Sequence, residues 1–337
     1  MPRELHEVLI VGAGSIGERH LRCFLATERV RASFVEVNCD LAKQVSERYP
    51  QAQGFSSLQA ALEHRFHAAV IATPAPLHIP QALECVKQGM HVLIEKPLSV
   101  ELTGIDQLMV AVDRTGVTAA TAYVYRAHPV LAEFRQVLHS GKYGRAVQLV
   151  AVGGQNFPTY RPAYAQTYYN DRKSGGGAVQ DALTHILNAG EWLLGPIDRL
   201  TADVDHLLLP KVTVEDTVHV LARQGRVMAN YSLNQHQTAN EIVFTVACEH
   251  GTLRYENHLC RWRVMERPDG PWIDSSPVTL ERDTLFTRQA NAFLDATEGK
   301  CPPLCSLPEG LMTLGANRAV LKSAETGQWC VPAQEIA

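Results

Sequence analysis

Short apolar runs alternate with amphipathic stretches through the first third of the chain. Val8-Leu9-Ile10-Val11 is a continuous apolar run that ends in glycine. The pattern then predicts a helix over 15–27, a strand over 33–37, a helix over 41–49 and a strand over 68–72. A helix over 76–88, stopped by Gly89, precedes a strand over 91–95, a helix over 103–114 and a strand over 117–122. Strands that are apolar along their whole length are buried on both faces. Alternating with helices, they predict an α/β fold with a doubly wound parallel sheet.

After about residue 125 the pattern changes. A helix is predicted over 129–140, with Pro129 in its first turn. Strand-like runs follow at 146–152, 201–206, 214–222, 226–233 and 242–247, with a hairpin-length connection at Arg223-Gln224-Gly225. One strong helix, 178–194, interrupts them and is stopped by Gly195-Pro196, and two more are expected over 285–297 and 308–326. The second half therefore reads as an α+β domain with a large, open, mainly antiparallel sheet. The boundary is placed at 123/124, giving a Rossmann domain over 1–123 and a substrate-binding and oligomerisation domain over 124–337. The last helix is expected to pack back on the first domain. Runs such as Val218-His219-Val220-Leu221 and Val243-Phe244-Thr245-Val246 are apolar on both sides. Such a sheet face predicts association into a homodimer or homotetramer.

Composition narrows the function classes. Hydrophobic residues make up 46% and charged residues 20% of the 337 residues, with a formal charge of −4. No Lys/Arg run offers a phosphate-tracking stripe, so nucleic acid is not an expected partner. No apolar stretch approaches the roughly 20 residues of a membrane helix. The first strand begins within a few residues of the start, so no signal peptide is expected. Of the eight cysteines only Cys301 and Cys305 lie close together, in Cys301-Pro-Pro-Leu-Cys305, without a histidine or second pair at zinc spacing. No metal site is expected, and scattered free thiols fit a cytoplasmic protein.

Gly12-Ala13-Gly14-Ser15-Ile16-Gly17 is a full G-x-G-x-x-G between a predicted strand and a predicted helix. Gly12 allows the tight turn, Gly14 lets backbone approach a pyrophosphate, and Gly17 lets helix pack on strand. The N–H groups at Ser15 and Ile16 open the helix and favour phosphate. Glu36 lies 19 residues after Gly17, at the end of the second strand. A carboxylate there accepts from ribose hydroxyls and repels a 2′-phosphate, and Asn38 points the same way. The cofactor expected is NAD, with NADP as the alternative.

Three further segments carry chemistry. Thr73-Pro74 and His78 follow the third predicted strand of the sheet, and Glu95-Lys96-Pro97 follows the next. Both sit at carboxyl ends of parallel strands, where doubly wound sheets bind ligands. Gly175-Gly176-Gly177-Ala178-Val179-Gln180-Asp181-Ala182-Leu183-Thr184-His185 opens the long helix. Asp181 and His185 are four residues apart and share a helix face. A histidine titrating near neutrality suits removal of a hydroxyl proton.

Together with the glycine turn, these segments resemble the glucose–fructose oxidoreductase/inositol dehydrogenase/MocA (Gfo/Idh/MocA) family over nearly the whole chain. The family's usual aspartate at the end of the second strand is replaced here by Asn38. The resemblance implies a nicotinamide-dependent oxidoreductase with catalytic Lys96, Asp181 and His185, and a cis Lys96–Pro97 bond. Glu95, Lys96 and Pro97 are then also expected beside the cofactor. The roles read as His185 the base, Lys96 the partner of the reacting oxygen and Asp181 their support. Which of Lys96 and His185 is the principal acid–base group stays open.

The substrate is expected to meet Tyr125, Arg126 and His128, and then Asn156, Tyr160, Arg161, Tyr164, Tyr168 and Arg172. These groups stack on sugar faces, bridge hydroxyls or fork around carboxylates. From Asn156 to Lys173 there are three basic residues and one acidic, which points to an anionic sugar derivative. The expected reaction is hydride transfer between the nicotinamide and a secondary hydroxyl of a sugar, a nucleotide, amino or acidic sugar, or a cyclitol. An NAD-dependent glycosidase working by transient oxidation is the alternative on the same fold. A non-catalytic NAD or sugar sensor, or a structural interaction protein, would leave Lys96, Asp181 and His185 unexplained.

Overall fold

The computed structural model describes residues 5–332. In chain order it forms β1 (His6–Val11), α1 (Ser15–Leu25), β2 (Val30–Val35), α2 (Cys39–Arg48), β3 (Gln53–Phe55), α3 (Leu58–Leu62), β4 (Ala68–Ile71), α4 (His78–Lys87), β5 (His91–Ile94), α5 (Ile105–Thr115) and β6 (Ala119–Thr121). There follow α6 (Pro129–His139), β7 (Ala146–Gly154), α7 (Phe157–Tyr160), α8 (Thr184–Leu194), β8 (Arg199–Asp205), β9 (Thr217–Gln224) and β10 (Val227–Asn234). The chain continues with β11 (Glu241–Cys248), β12 (Gly251–Glu256), β13 (Arg261–Met265), β14 (Ile273–Asp274), α9 (Thr284–Thr297) and α10 (Leu307–Thr326).

The chain divides into two units. The first runs to Ala127 and regains Glu281–Gly310; the second comprises His128–Leu280 and the described chain from Leu311 onward. The boundary thus falls inside α10. The returning segment lies in the stretch that the sequence assigns to the second domain. Its pattern shows that α9 has an apolar face but not which core that face joins. Ala290, Phe293 and Leu294 enter the same buried cluster as Val8, Ile10, Leu21 and Phe24. Full burial of a Phe or Leu side chain stabilises by about 1.5–3 kcal/mol, so α9 is an integral part of the first unit.

In the first unit six strands are ordered β3-β2-β1-β4-β5-β6. Every pairing is parallel. Strand order reverses at β1, and the loops after β2, β1, β4 and β5 leave the same carboxyl edge beside that switch point. The run Val8–Val11 is wholly buried, as expected for a strand covered on both faces. Two elements, β3 and α3, escape the sequence pattern. Strand β3 is a three-residue edge strand containing Gly54, over which the Phe34 ring lies. It is too short to show alternation.

In the second unit eight strands are ordered β14-β13-β12-β11-β7-β10-β9-β8. All pairings are antiparallel except that of β10 with β7, which is parallel. Val218, Val220, Tyr231, Phe244, Val246 and Tyr255 are buried on one face of this sheet. Helix α8 packs against that face so closely that a side chain on Gly190 would meet the Tyr231 ring. Strands β12, β13 and β14 also lack a clear sequence signal. Their other face carries half-buried arginines, Arg254 and Arg263, which straddle Trp272 at 4.9 and 5.3 Å, and charge breaks the apolar alternation.

Candidate functional site

The glycine turn follows from steric limits that can be stated residue by residue. Gly12 has φ +89°, a left-handed value, and a Cβ there would meet Ala72 O and Thr73 Cγ2 at 3.0 Å. A Cβ on Gly17 would run into the carbonyl oxygen of Gly12. Around Gly14 nothing lies within 4 Å of the Cβ position. Helix α1 starts at Ser15 with no side-chain cap on its first turn. An open approach at Gly14 beside uncapped N–H groups fits a dinucleotide pyrophosphate. When bound, the nicotinamide would supply hydride exchange, and Gly12 to Gly17 are the residues that would hold its pyrophosphate.

Glu36 directly follows β2 and turns back to this cradle. Its Oε2 accepts from Ala13 N at 3.0 Å and its Oε1 from Asn38 N at 2.9 Å. Asn38 also has a task in the fold. Its Oδ1 accepts from Asp40 N at 3.1 Å and Leu41 N at 3.0 Å, so it is the N-cap of α2. After β4, the Thr73 hydroxyl donates to Gln81 at 2.6 Å, and Pro74 leads into a 3₁₀ turn, Ala75–Leu77.

His78 and Glu95 are buried beneath these loops. The His78 ring stands between Thr73 O at 2.7 Å and Pro97 O at 3.0 Å and ties the two loops together. A neutral imidazole donates to one of them at a time. Burial pushes His78 below its ordinary value. His20 Nε2 donates to Glu95 Oε1 at 2.7 Å, and Lys96 N donates to Glu95 Oε2 at 2.9 Å. Burial raises the Glu95 carboxyl, but the His20 hydrogen bond and the charges of His20 and Lys96 outweigh it and hold the group below its ordinary value. Both His78 and Glu95 therefore shape the loops from inside rather than lining them. Lys96 is half-buried, and the Lys96–Pro97 bond is cis, as the resemblance implies.

In the second unit, Asp181 lies in a π-helical turn, Val179–Leu183, that runs straight into α8. In a regular α-helix a four-residue step overshoots one turn by about 40°. The wider π turn removes part of that overshoot, so Asp181 and His185 stand more nearly in line than a regular helix would place them. Asp181 is buried and accepts from Tyr168 Oη at 2.6 Å, whereas His185 is half-buried. The preceding glycines are needed for close approach. A Cβ on Gly176 would meet the carbonyls of Tyr168 and Tyr169, and one on Gly177 (φ +86°) would meet the Glu215 carboxylate.

The stretch expected to meet substrate forms α7 and three 3₁₀ turns rather than an open loop. Several of its side chains are committed to the fold. Asn156 Oδ1 caps α7, accepting from Thr159 N at 3.2 Å. Tyr164 is buried and donates to Pro210 O at 2.7 Å. The Arg161 guanidinium lies over the Phe157 ring at 5.7 Å. Arg172 donates from Nε to Glu215 at 2.7 Å. Arg126 is buried against Glu309 and the Leu304 carbonyl, and His128 is buried at the start of α6, where Leu131 N donates to it. Tyr125 is half-buried, and Tyr160 and Tyr168 are exposed at 52% and 43%.

Two buried residues at the site have no motif. His20 sits on the inner face of α1, where sequence shows only an amphipathic helix. Glu215 stands beside Asp216 at the head of an apolar strand, and that adjacent acidic pair was a usable signal. Among the described residues no group of three or more His, Cys, Asp or Glu side chains could hold a metal ion.

Comparison with known proteins places both units. Residues 6–123 match the family model described as an oxidoreductase family with an NAD-binding Rossmann fold, and residues 131–254 match that of the Gfo/Idh/MocA C-terminal domain. The 1,5-anhydro-D-fructose reductase of Ensifer adhaerens is 28% identical over 270 residues, 77% of this chain and 78% of that protein. A levoglucosan dehydrogenase in complex with NADH and levoglucosan shares the fold at TM-score 0.89 and 19% identity, over 98% of this chain and 100% of that one. The WlbA dehydrogenase of Bordetella pertussis, in complex with NADH and UDP-GlcNAcA, does so at TM-score 0.83 and 23% identity, over 98% and 99%. Both halves of the sequence thus answer to the two domains of one family, and the chain belongs to the Gfo/Idh/MocA oxidoreductases, whose N-terminal domain is an NAD-binding Rossmann fold.

Proposed function

We propose that the protein interconverts a secondary alcohol and a ketone on a sugar, a sugar derivative or a cyclitol, with NAD(H) as the preferred carrier. The observation that carries this reading is the open cradle at Gly14, seated at the strand switch point on the same sheet edge as the loop that bears Lys96. When bound, the nicotinamide would supply the hydride exchange. His185 takes the hydroxyl proton, Lys96 hydrogen-bonds the reacting oxygen and stabilises charge developing on it, and Asp181 supports the histidine. Tyr160 and Tyr168 are the exposed groups proposed to meet the substrate, whereas the Arg172 guanidinium is taken up by Glu215. The relatives are named as reductases and dehydrogenases, which supports net redox turnover over the glycosidase reading.

The test is a screen of purified protein with NAD and NADP against sugars, cyclitols, uronic acids and nucleotide sugars, following absorbance of the reduced nicotinamide. One class is expected to turn over. Lys96→Ala should lower kcat by about 100-fold or more while NADH still binds. Unchanged turnover in that variant would overturn the assignment of Lys96. Placement in the cytoplasm belongs to the same proposal; no described helix is long and apolar enough to cross a membrane.

A further inference from the structure

We infer that Glu215 is a positioning residue that sets the orientation of Asp181 and His185. This rests on the reading of those two residues as proton-handling groups.

Glu215 lies just before β9 and its side chain is fully buried. Burying a carboxylate is costly unless each oxygen finds a donor. Here Oε1 accepts from Val179 N at 3.1 Å and Oε2 from Arg172 Nε at 2.7 Å. Its backbone carbonyl accepts from Ala178 N at 2.9 Å. Glu215 therefore supplies, from the chain leading into β9, the cap that the helix carrying Asp181 and His185 does not supply for itself. The negative charge also faces the positive end of that helix.

Two segments are fixed by this one carboxylate. The first is the helix start at Ala178 and Val179, two residues before Asp181. The second is the turn at Arg172, four residues after Tyr168, whose hydroxyl donates to Asp181. Gln180 joins the two segments as well, its Nε2 donating to Arg172 O at 2.9 Å. Gly177 is glycine because a side chain there would displace the Glu215 carboxylate.

The adjacent carboxylate has a different task. Asp216 accepts from the amides of Leu207, Leu208 and Leu209 at 3.1, 2.7 and 2.7 Å. It fixes a turn with no residue of the proposed chemistry. Of the two neighbouring acids, only Glu215 holds elements that carry the proton-handling pair.

Glu215→Gln keeps the size of the side chain but sets an amide N–H₂ or a neutral oxygen against Arg172. The variant is to be examined by hydrogen–deuterium exchange, by NADH fluorescence titration, and by steady-state kinetics on the best substrate among levoglucosan, 1,5-anhydro-D-fructose, myo-inositol and UDP-GlcNAcA. Exchange should quicken at 178–185 while β9, β10 and β11 stay protected. NADH affinity should hold. The kcat should fall about tenfold or more with KM little changed, because small misplacements of catalytic groups cost that much. Glu215→Asp should recover part of the loss.

Unchanged exchange at 178–185, or unchanged kcat, overturns the inference. If Glu215→Gln does not fold, Arg172→Met carries the same test. A loss in kcat with local exchange supports positioning, whereas a rise in KM alone assigns Arg172 to substrate and overturns it. Full activity in Asp181→Asn and His185→Gln would instead defeat the underlying reading, and the exchange result on Glu215→Gln would still report whether the carboxylate holds the helix.

Discussion

His20 and Glu95 meet at 2.7 Å in the interior of the first unit, the imidazole donating from α1 to the carboxylate that precedes Lys96. The other carboxylate oxygen takes the Lys96 backbone N–H. One buried contact therefore couples the helix that follows the glycine turn to the loop that presents the lysine. Movement of either one would strain the other.

Removing the carboxylate leaves the His20 donor and the Lys96 N–H unsatisfied in a buried setting. Glu95→Ala should cost about 3 kcal/mol of stability, and Glu95→Gln, which keeps an acceptor, less than half of that. NADH affinity should fall in the alanine variant along with stability. Urea unfolding and fluorescence titration measure the two effects. Glu95→Ala as stable as the parent would mean that the contact does not couple helix and loop.

The glycine turn and the Lys96 loop are legible in the sequence because their chemistry depends on chain-local requirements. Gly12, Gly14 and Gly17 answer to backbone sterics within six residues, and Lys96 follows an apolar strand directly. The pairings that support them are not legible. His20 and Glu95 are 75 positions apart, and Glu215 is 36 from Val179. No periodicity relates them. Arg126, His128 and Tyr164 show the converse difficulty. Their residue types suit a carbohydrate site, but burial and partners elsewhere in the fold take them up. The π turn at Val179–Leu183 was hidden too, since its residues read as ordinary helix formers.

We propose that Glu36 sets cofactor choice through its position. Its carboxylate is held beside the glycine turn by Ala13 N and Asn38 N, and a 2′-phosphate brought there meets a fixed negative charge. The kcat/KM for NAD should exceed that for NADP. Glu36→Ser should narrow the ratio by about tenfold or more, equivalent to roughly 1.4 kcal/mol. Parallel assays with the two cofactors at one substrate concentration decide it, and a parent enzyme that prefers NADP would refute the role given to Glu36.

A row of imidazoles makes the first unit sensitive to acid. His6 stacks on His67 at 4.2 Å between ring centroids, and His67 meets His91 at 4.8 Å. Burial first, and then the neighbouring His6 and His91, lower His67 from 6.5 to about 4. Glu298 and Thr297 face the row from α9 and its end, with His6 on Glu298 at 2.9 Å and His67 on Thr297 Oγ1 at 3.0 Å. Arg29 and Lys300 pair with the same Glu298. The fold keeps His67 neutral, so it binds fewer protons than the unfolded chain between these two values. Its stabilising contribution is complete above pH 6.5 and is lost as pH falls from there toward about 4. Glu298 adds a loss in the same direction, but only below its ordinary value of 4.5. Thermal unfolding measured between pH 7 and pH 5 should therefore separate the two, since about pH 5 lies above the carboxylate range. His67→Gln can keep the Thr297 hydrogen bond without titrating, and it should flatten the fall in Tm over that interval. An equal slope in parent and variant would remove His67 as its source.

The open face of the second sheet carries the last prediction. Leu221 and Met228 are each 54% exposed. The pairing of Leu221 with Asn230 and of Arg223 with Met228 sets both on the same side of the ladder. Val150 and Val152 of the neighbouring strand lie on that side too, opposite Asn230 and Ser232, and remain half-buried. Buried valines and tyrosines already occupy the other face, so these side chains have no core of their own to join. An apolar sheet face of this kind is stabilised when a second copy covers it, which takes about 800 Å² per partner for a stable interface. Light scattering coupled to size exclusion should show a dimer or larger assembly for the parent. Leu221→Glu combined with Met228→Glu should shift it toward monomer, because four carboxylates would face one another across a two-fold contact. The exposed positions of both residues make misfolding of the single chain a minor effect, checked by an unchanged far-UV spectrum. A parent that runs as a monomer at micromolar concentration would sink the assignment of this face to self-association.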